Sequence, residues 1–176
     1  MHKIITPQQW ETSNWSGGTT SELFILPSNA DFKKGNYALR ISIATVEIEE
    51  SIFTPLKNVD RVLTVLDGEI ELYHEGHHSS VLKQYEQDSF RGDWSTKSKG
   101  KVRDFNVMTI NNDVRTSVLK FSDNECHLVR KNEFYFIAEG TVILNQQTLE
   151  KDVSFILDND DEIQISGKSV LIRINS

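Results

Sequence analysis

Apolar side chains in this chain return at every second position. Along Tyr37-Ala38-Leu39-Arg40-Ile41-Ser42-Ile43-Ala44-Thr45-Val46, residues Leu39, Ile41 and Ile43 share one face, while Ala38, Arg40, Ser42, Ala44 and Val46 share the other. A period of two is the period of a strand, in which neighbouring side chains point to opposite faces. The same alternation, rich in Val, Ile, Thr and aromatics, marks Glu22–Leu26, Val59–Leu66, Glu69–His74, Phe105–Ile110, Ser117–Phe121, Phe134–Ala138, Thr141–Leu144, Val153–Leu157, Glu162–Ile165 and Val170–Ile174. Short strands at this spacing predict an all-β sandwich or barrel. Helix signals are almost confined to Thr6-Pro7-Gln8-Gln9-Trp10, where Thr6 suits an N-cap and Pro7 the first helical position.

Two places resemble each other. Val62–Leu72 reads as a hairpin closed by Asp67-Gly68, residues that accept the positive φ of a type I′ turn, and Phe134–Leu144 repeats the outline with Glu139-Gly140. Each is followed by an acidic and then an aromatic residue, Asp88-Ser89-Phe90 and Asp152-Val153-Ser154-Phe155. Two matches in the same order predict a duplicated all-β unit with no low-complexity linker between the halves.

Composition narrows the function classes. The 176 residues carry 26 acidic and 19 basic side chains, a formal charge of −7, which disfavours nucleic acid and anionic membrane as partners. Hydrophobic residues at 38% and charged residues at 26% fit a globular protein with a core of its own. A single cysteine, Cys126, excludes an internal disulfide and a multi-cysteine zinc site. The longest apolar run, Phe134–Ala138, is far below the ~18 residues of a spanning helix, and residues 1–7 lack a secretory apolar stretch, so a cytoplasmic location is expected.

The candidate chemistry lies on two strands and a loop. The small residues around Arg40 suit a strand lining a ligand cavity, with the guanidinium offering a planar fork to a carboxylate. Asp104, Asn106 and Met108 share a face opposite Phe105 and Val107; Asp104 can balance an interior arginine, and Asn106 can both donate and accept. In Asn14-Trp15-Ser16-Gly17-Gly18-Thr19-Thr20 two glycines permit close backbone approach, but the nucleotide-phosphate spacings are missing. His74, His77 and His78 follow a strand, yet the adjacent pair would face opposite ways and no further histidine completes a set before His127, so a solvated loop without a metal is expected. No Ser-x-Gly elbow or paired-carboxylate pattern is present.

In order along residues 13–110, Trp15-Ser16-Gly17-Gly18-Thr19-Thr20-Ser21-Glu22, Arg40-Ile41-Ser42-Ile43-Ala44, Val59-Asp60-Arg61, Leu66-Asp67-Gly68, Phe90-Arg91-Gly92-Asp93 and Asp104-Phe105-Asn106-Val107-Met108 resemble the HutD/Ves family of cupin-like proteins. The resemblance implies a double β-barrel (bicupin) with little helix: an N-terminal barrel over 1–120 holding the pocket, and a smaller module over 121–176. It implies a protein that senses or buffers a small anionic metabolite such as the histidine-degradation intermediates formiminoglutamate or urocanate. No cofactor comes with it, and a homodimer is among the partners it admits. Carried over by position, it points to Trp15, Thr19, Thr20, Glu22, Arg40, Ser42, Arg61, Asp93, Asp104 and Asn106 as ligand-binding residues, with Arg40 gripping a carboxylate. The rival expectation is a metal-independent isomerase, hydrolase or lyase using Glu22, Asp93 or Asp104 as acid or base.

Overall fold

In the computed structural model, which describes residues 2–176, seventeen strands hold most of the chain. In order they are β1 (Lys3–Ile5), β2 (Glu11–Trp15), β3 (Gly18–Leu26), β4 (Leu39–Val46), β5 (Glu50–Ile52), β6 (Asp60–Gly68), β7 (Ile70–His74), β8 (Ser79–Leu82), β9 (Gln87–Arg91), β10 (Thr96–Lys99), β11 (Val102–Thr109), β12 (Arg115–Phe121), β13 (Glu125–Val129), β14 (Phe134–Leu144), β15 (Gln147–Glu150), β16 (Ser154–Ile156) and β17 (Asp161–Asn175). Helix among the described residues is limited to the 3-10 turns Pro7–Gln9 and Phe32–Lys34. The first forms where Thr6 and Pro7 predict it, with the Thr6 amide donating to Gln9 Oε1 at 2.8 Å. The second opens with Asp31 Oδ1 accepting from the Lys33 amide at 2.8 Å and closes on Gly35 in the left-handed region.

The chain divides into two units. One comprises residues 2–10 with Asp113–Ser176, the other Glu11–Asn112. The boundary expected after residue 120 falls inside β12, all seven residues of which pair with β17, and β1 adds to the edge strand β16. Pairing therefore assigns both the start of the chain and β12 to the C-terminal unit, whose sheet runs β1-β16-β14-β17-β12 with β13 on β17 and β15 on β14. Its core holds Leu144, Ile163 and Leu171 around the stacked rings of Tyr135 and Phe155, 5.3 Å apart between centroids.

The unit Glu11–Asn112 has a six-stranded sheet, β2-β3-β4-β11-β6-β9, and a four-stranded sheet, β5-β10-β7-β8. Leu63, Val65 and Val102 from the first meet Ile70, Leu72 and Leu82 from the second; each such side chain, once buried, contributes roughly 1.5–3 kcal/mol. The sheets are not closed into barrels by continuous pairing.

The two predicted hairpins are not hairpins. β6 pairs with β9 and β11, whereas β7 pairs with β8 and β10, so Gly68 is a corner at which the chain passes from one sheet to the other. Phe134–Leu144 is the single strand β14, irregular on either side of Glu139. Both glycines sit at φ +87°, and a Cβ would lie 2.6 Å from the Lys101 carbonyl at Gly68 and 2.6 Å from the Lys168 carbonyl at Gly140. The repeat in sequence is thus a repeated glycine of positive φ, a corner between two sheets at Gly68 and an irregularity within one strand at Gly140, and in neither place a tight turn.

Candidate functional site

The face of β4 carrying Arg40, Ser42, Ala44 and Val46, and that of β11 carrying Asp104, Asn106 and Met108, look into one cavity of about 400 Å³. The register explains why they meet: Ala44 lies opposite Asp104, Ser42 opposite Asn106, and Arg40 opposite Met108, while Arg61 of β6 flanks Met108 on the other side. The opposite faces carry Leu39, Ile41, Ile43, Phe105 and Val107, all buried, so the alternation read from sequence is the one that orients the site. Trp15 and Thr20 line the cavity from the β2–β3 hairpin, and Phe32, Phe53 and Leu56 complete it. A volume of this size suits a small metabolite. A wider groove, about 1190 Å³, runs over the four-stranded sheet past Ile52 and Tyr73, but it lacks the buried charges of the cavity.

Five ionisable side chains, Glu22, Tyr37, Arg40, Arg61 and Asp104, organise the interior. Arg40 Nε donates to Glu22 Oε2 at 2.7 Å and its Nη1 to Ser42 Oγ at 3.2 Å, and the guanidinium lies 4.0 Å from the centre of the Phe32 ring. Its charge is therefore already matched. Arg61 differs: it makes a single side-chain hydrogen bond, Nη2 to Asn106 Oδ1 at 3.1 Å, and its Nε is buried with no acceptor. Phe53 and Phe90 stand 4.8 and 5.1 Å from its guanidinium carbon, where ring faces offer a cation about 0.5–2 kcal/mol apiece but accept no conventional hydrogen bond. Burial pushes the Arg61 guanidinium down to about 10, a shift held back mainly by the nearby Asp104 carboxylate.

Asp104 accepts a short hydrogen bond from Asn106 Nδ2. Burial pushes its carboxyl up to about 7; Arg61 and Asn106 oppose the rise without cancelling it. Near neutrality it thus exchanges between a neutral and a charged form. Tyr37, whose hydroxyl donates to Met108 Sδ at 4.0 Å, is raised by burial against the lowering effect of Arg40 and Arg61.

Of the positions expected at the site, Trp15, Thr20, Arg40, Ser42, Arg61, Asp104 and Asn106 line the cavity, and Glu22 reaches it through Arg40. Two do not. Thr19 is not among the lining residues, as its alternation with Thr20 along β3 explains. Asp93 is surface-exposed after β9, its carboxylate 3.8 Å from Arg91 Nε, and does not enter the cavity. Gly17 serves a different purpose from the expected close approach to a ligand: a Cβ there would come within 2.2 Å of the Trp15 ring, which folds across it. Phe32, Phe53 and Phe90 escaped the sequence reading because nothing in their spacing ties them to an arginine.

The histidines also differ from expectation. His74 is buried at the end of β7, with Nδ1 2.8 Å from Thr96 Oγ1 and Nε2 3.2 Å from Asp88 Oδ2. His78 Nε2 lies 3.0 Å from the same carboxylate, and the His77 ring stacks on Trp94 at 3.8 Å. The loop is a packed turn because Asp88, distant in sequence, draws two imidazoles to itself.

Comparison with known proteins follows the same lines. HutD from Pseudomonas fluorescens SBW25, solved in a formate condition, is similar over 99% of this chain and 98% of its own, with 19% identity and a TM-score of 0.78. A conserved protein of unknown function from Pseudomonas aeruginosa PAO1 matches at 18% identity over 99% of this chain and 98% of its own, with a TM-score of 0.77. The bacterial pirin YhhW from Escherichia coli, solved in complex with nickel(II), matches at 12% identity over 99% and 98%, with a TM-score of 0.75. Together with other cupin neighbours these show an all-β, cupin-like fold. No curated protein sequence matches the chain. The HutD family model matches residues 7–172, and the chain belongs to the HutD family.

Proposed function

We propose that this cupin-type small-molecule-binding protein holds a small carboxylate in the cavity between β4 and β11, and that it senses or buffers that compound rather than consuming it. One observation carries the reading: Arg61 is a buried cation with donors left over, beside a cavity open enough to admit their acceptor. A guanidinium presents five N–H groups, and an unmatched buried donor costs roughly 1–3 kcal/mol. A ligand carboxylate bound through two of them would remove that cost, whereas Arg40 already has its charge matched by Glu22 and a second donor placed on Ser42. The role expected of Arg40 is therefore given to Arg61, and Arg40 becomes the residue that fixes Glu22 and Ser42. Asp104 and Asn106 would meet a nitrogen-bearing end of the ligand. Family membership makes the histidine-degradation intermediates formiminoglutamate and urocanate, each a carboxylate with nitrogen, the ligands to try first.

A thermal-shift panel with histidine, urocanate, formiminoglutamate, formylglutamate, glutamate and formate tests the reading. A ligand at ~100 times its Kd stabilises the folded state by about 2.7 kcal/mol, a rise of several degrees. A shift for a nitrogen-bearing carboxylate that Arg61→Gln abolishes is the expected result. A shift that survives Arg61→Gln, or none with any member of the panel, overturns it. Asp104 supports the second reading, a metal-independent enzyme acting on the same class of molecule, because a carboxyl that titrates at about 7 is matched to acid–base work. Chemical change of the bound compound on overnight incubation, lost in Asp104→Asn, would favour that reading.

A further inference from the structure

On the same unit, but on other strands than the cavity's two walls, a second cluster has no part in the proposed binding. His74 ends β7 in the four-stranded sheet, His78 lies just before β8, and Asp88 stands on β9 in the six-stranded sheet. The turn holds the two histidines on one side: the His74 amide donates to the His78 carbonyl at 2.9 Å, and the His77 amide to the His74 carbonyl at 3.0 Å. His77 is thereby turned out of the cluster and onto Trp94.

We infer that His74 Nε2, His78 Nε2 and one oxygen of Asp88 form a binding site for a divalent transition ion of the zinc class. The three ligand atoms lie within 4.8 Å of one another, with Nε2 to Oδ2 separations of 3.2 Å for His74 and 3.0 Å for His78. Two donors on one tetrahedral zinc, each about 2.0–2.1 Å from it, stand about 3.3 Å apart, so both histidine–carboxylate separations match this spacing within a few tenths of an ångström, and the exposed His78 ring is free to adjust toward His74. Two imidazoles and a carboxylate are a ligand set for zinc, cobalt or nickel rather than for calcium or magnesium.

The surroundings resemble those of a metal site as well. His74 Nδ1 is held by Thr96 Oγ1, directly opposite on β10, which fixes the ring and leaves Nε2 for the ion. Asp88 is oriented by the Ser80 hydroxyl at 2.6 Å and the Ser89 amide at 2.8 Å. Phe90 packs 4.4 Å from the His74 ring and Trp94 5.7 Å from it, a low-dielectric wall on the inner side. His78 is 40% exposed and opens the outer side to solvent, leaving a fourth position for water.

The test uses the whole chain stripped with a chelator, titrated with Co²⁺ in the visible region and with Zn²⁺ against a chromophoric chelator. One ion per chain at micromolar concentration, with tetrahedral cobalt bands and a change in Trp94 emission, is expected. His78→Ala, at a half-exposed position that leaves folding intact, should weaken binding at least tenfold, as should Asp88→Asn. Thr96→Val removes only the hydroxyl behind His74 and should cost about 10–100-fold. Failure to bind either ion at stoichiometry, or unchanged affinity in His78→Ala, overturns the assignment and leaves a metal-free hydrogen-bonded His–Asp cluster. Neither result depends on whether the cavity takes a carboxylate.

Discussion

Replacing Asp104 by asparagine gives a large effect whose sign is fixed by burial. In the folded chain the carboxyl is pushed from an ordinary 3.8 up to about 7, a little over three pH units, and each unit corresponds to about 1.4 kcal/mol. Below pH 3.8 it is protonated in folded and unfolded chains alike and contributes nothing to the pH dependence. Between 3.8 and about 7 the unfolded chain ionises while the folded one does not, so folded stability falls as pH rises and levels off above that range. The whole loss is on the order of 4 kcal/mol, with about 3 kcal/mol of it between about pH 5 and 8. The amide of the Asp104→Asn variant keeps an oxygen that can accept from Asn106 Nδ2 but does not titrate. The variant also gives up the attraction that ionised Asp104 offers Arg61, a contribution already contained in the Asp104 value of about 7, while Arg61 itself titrates only at about 10, above this range. Urea unfolding of both proteins at pH 5, 6, 7 and 8, followed by tryptophan emission in a Trp10→Phe background, reads the effect, since Trp15 and Trp94 lie in the unit Glu11–Asn112 with Asp104 and Trp10 lies in the other. Wild type should lose about 3 kcal/mol more than Asp104→Asn across the series. Parallel profiles, within about 1 kcal/mol of each other at every pH, would refute the claim that Asp104 is held protonated by burial.

Other expected outcomes follow from the same geometry. Carboxylate affinity should fall by up to about tenfold per pH unit above about 7, because ionised Asp104 cancels the charge of Arg61; calorimetry at pH 6 and 8 measures this, and a flat profile contradicts it. Gly140→Ala should be far more damaging than Gly35→Ala. Both have positive φ, but a Cβ at Gly140 would meet Ser169 Oγ at 2.1 Å whereas at Gly35 nothing lies within 4 Å, so about 1 kcal/mol is expected at Gly35 and at least about 3 at Gly140 by urea unfolding. Glu22→Gln leaves Arg40 with a neutral partner and should destabilise the unit by roughly 1–3 kcal/mol, again read by urea; an unchanged midpoint would mean that the 2.7 Å pair contributes nothing.

Period-two alternation made β4 and β11 legible, down to which face each presents, because a buried strand tolerates no slip of one residue without exposing Ile41 or Phe105. The corners were half legible. Asp67-Gly68 and Glu139-Gly140 announced positive φ, but whether the chain then folds back on itself, crosses to another sheet as at Gly68, or runs on in the same strand as at Gly140 depends on β9, β11 and β17, distant in sequence. Short polar strands such as β5 (Glu50–Ile52) and β10 (Thr96–Lys99) exist only through their partners and carry no pattern of their own. At the site, Arg40 was conspicuous because small residues flank it, yet Glu22, on the neighbouring strand β3, absorbs its charge. Arg61, flanked by Asp60 and Val62, was marked by the family resemblance and by no pattern of its own; its unmatched donors follow from the aromatic rings of Phe53 and Phe90, which no local spacing reveals. The histidine cluster was hidden for the same reason, its third member, Asp88, lying on another sheet.

Calorimetric titration of wild type and Arg61→Gln with the nitrogen-bearing carboxylate that gives the largest thermal shift tests the central claim most directly, with Ala44→Leu as a second variant that narrows the cavity and keeps every charge. Removing one partner of a buried charged contact costs about 2–5 kcal/mol, so binding to one site per chain in wild type should weaken at least about 30-fold in Arg61→Gln and fall in Ala44→Leu as well. Equal affinity in all three proteins would place the ligand elsewhere and contradict the account.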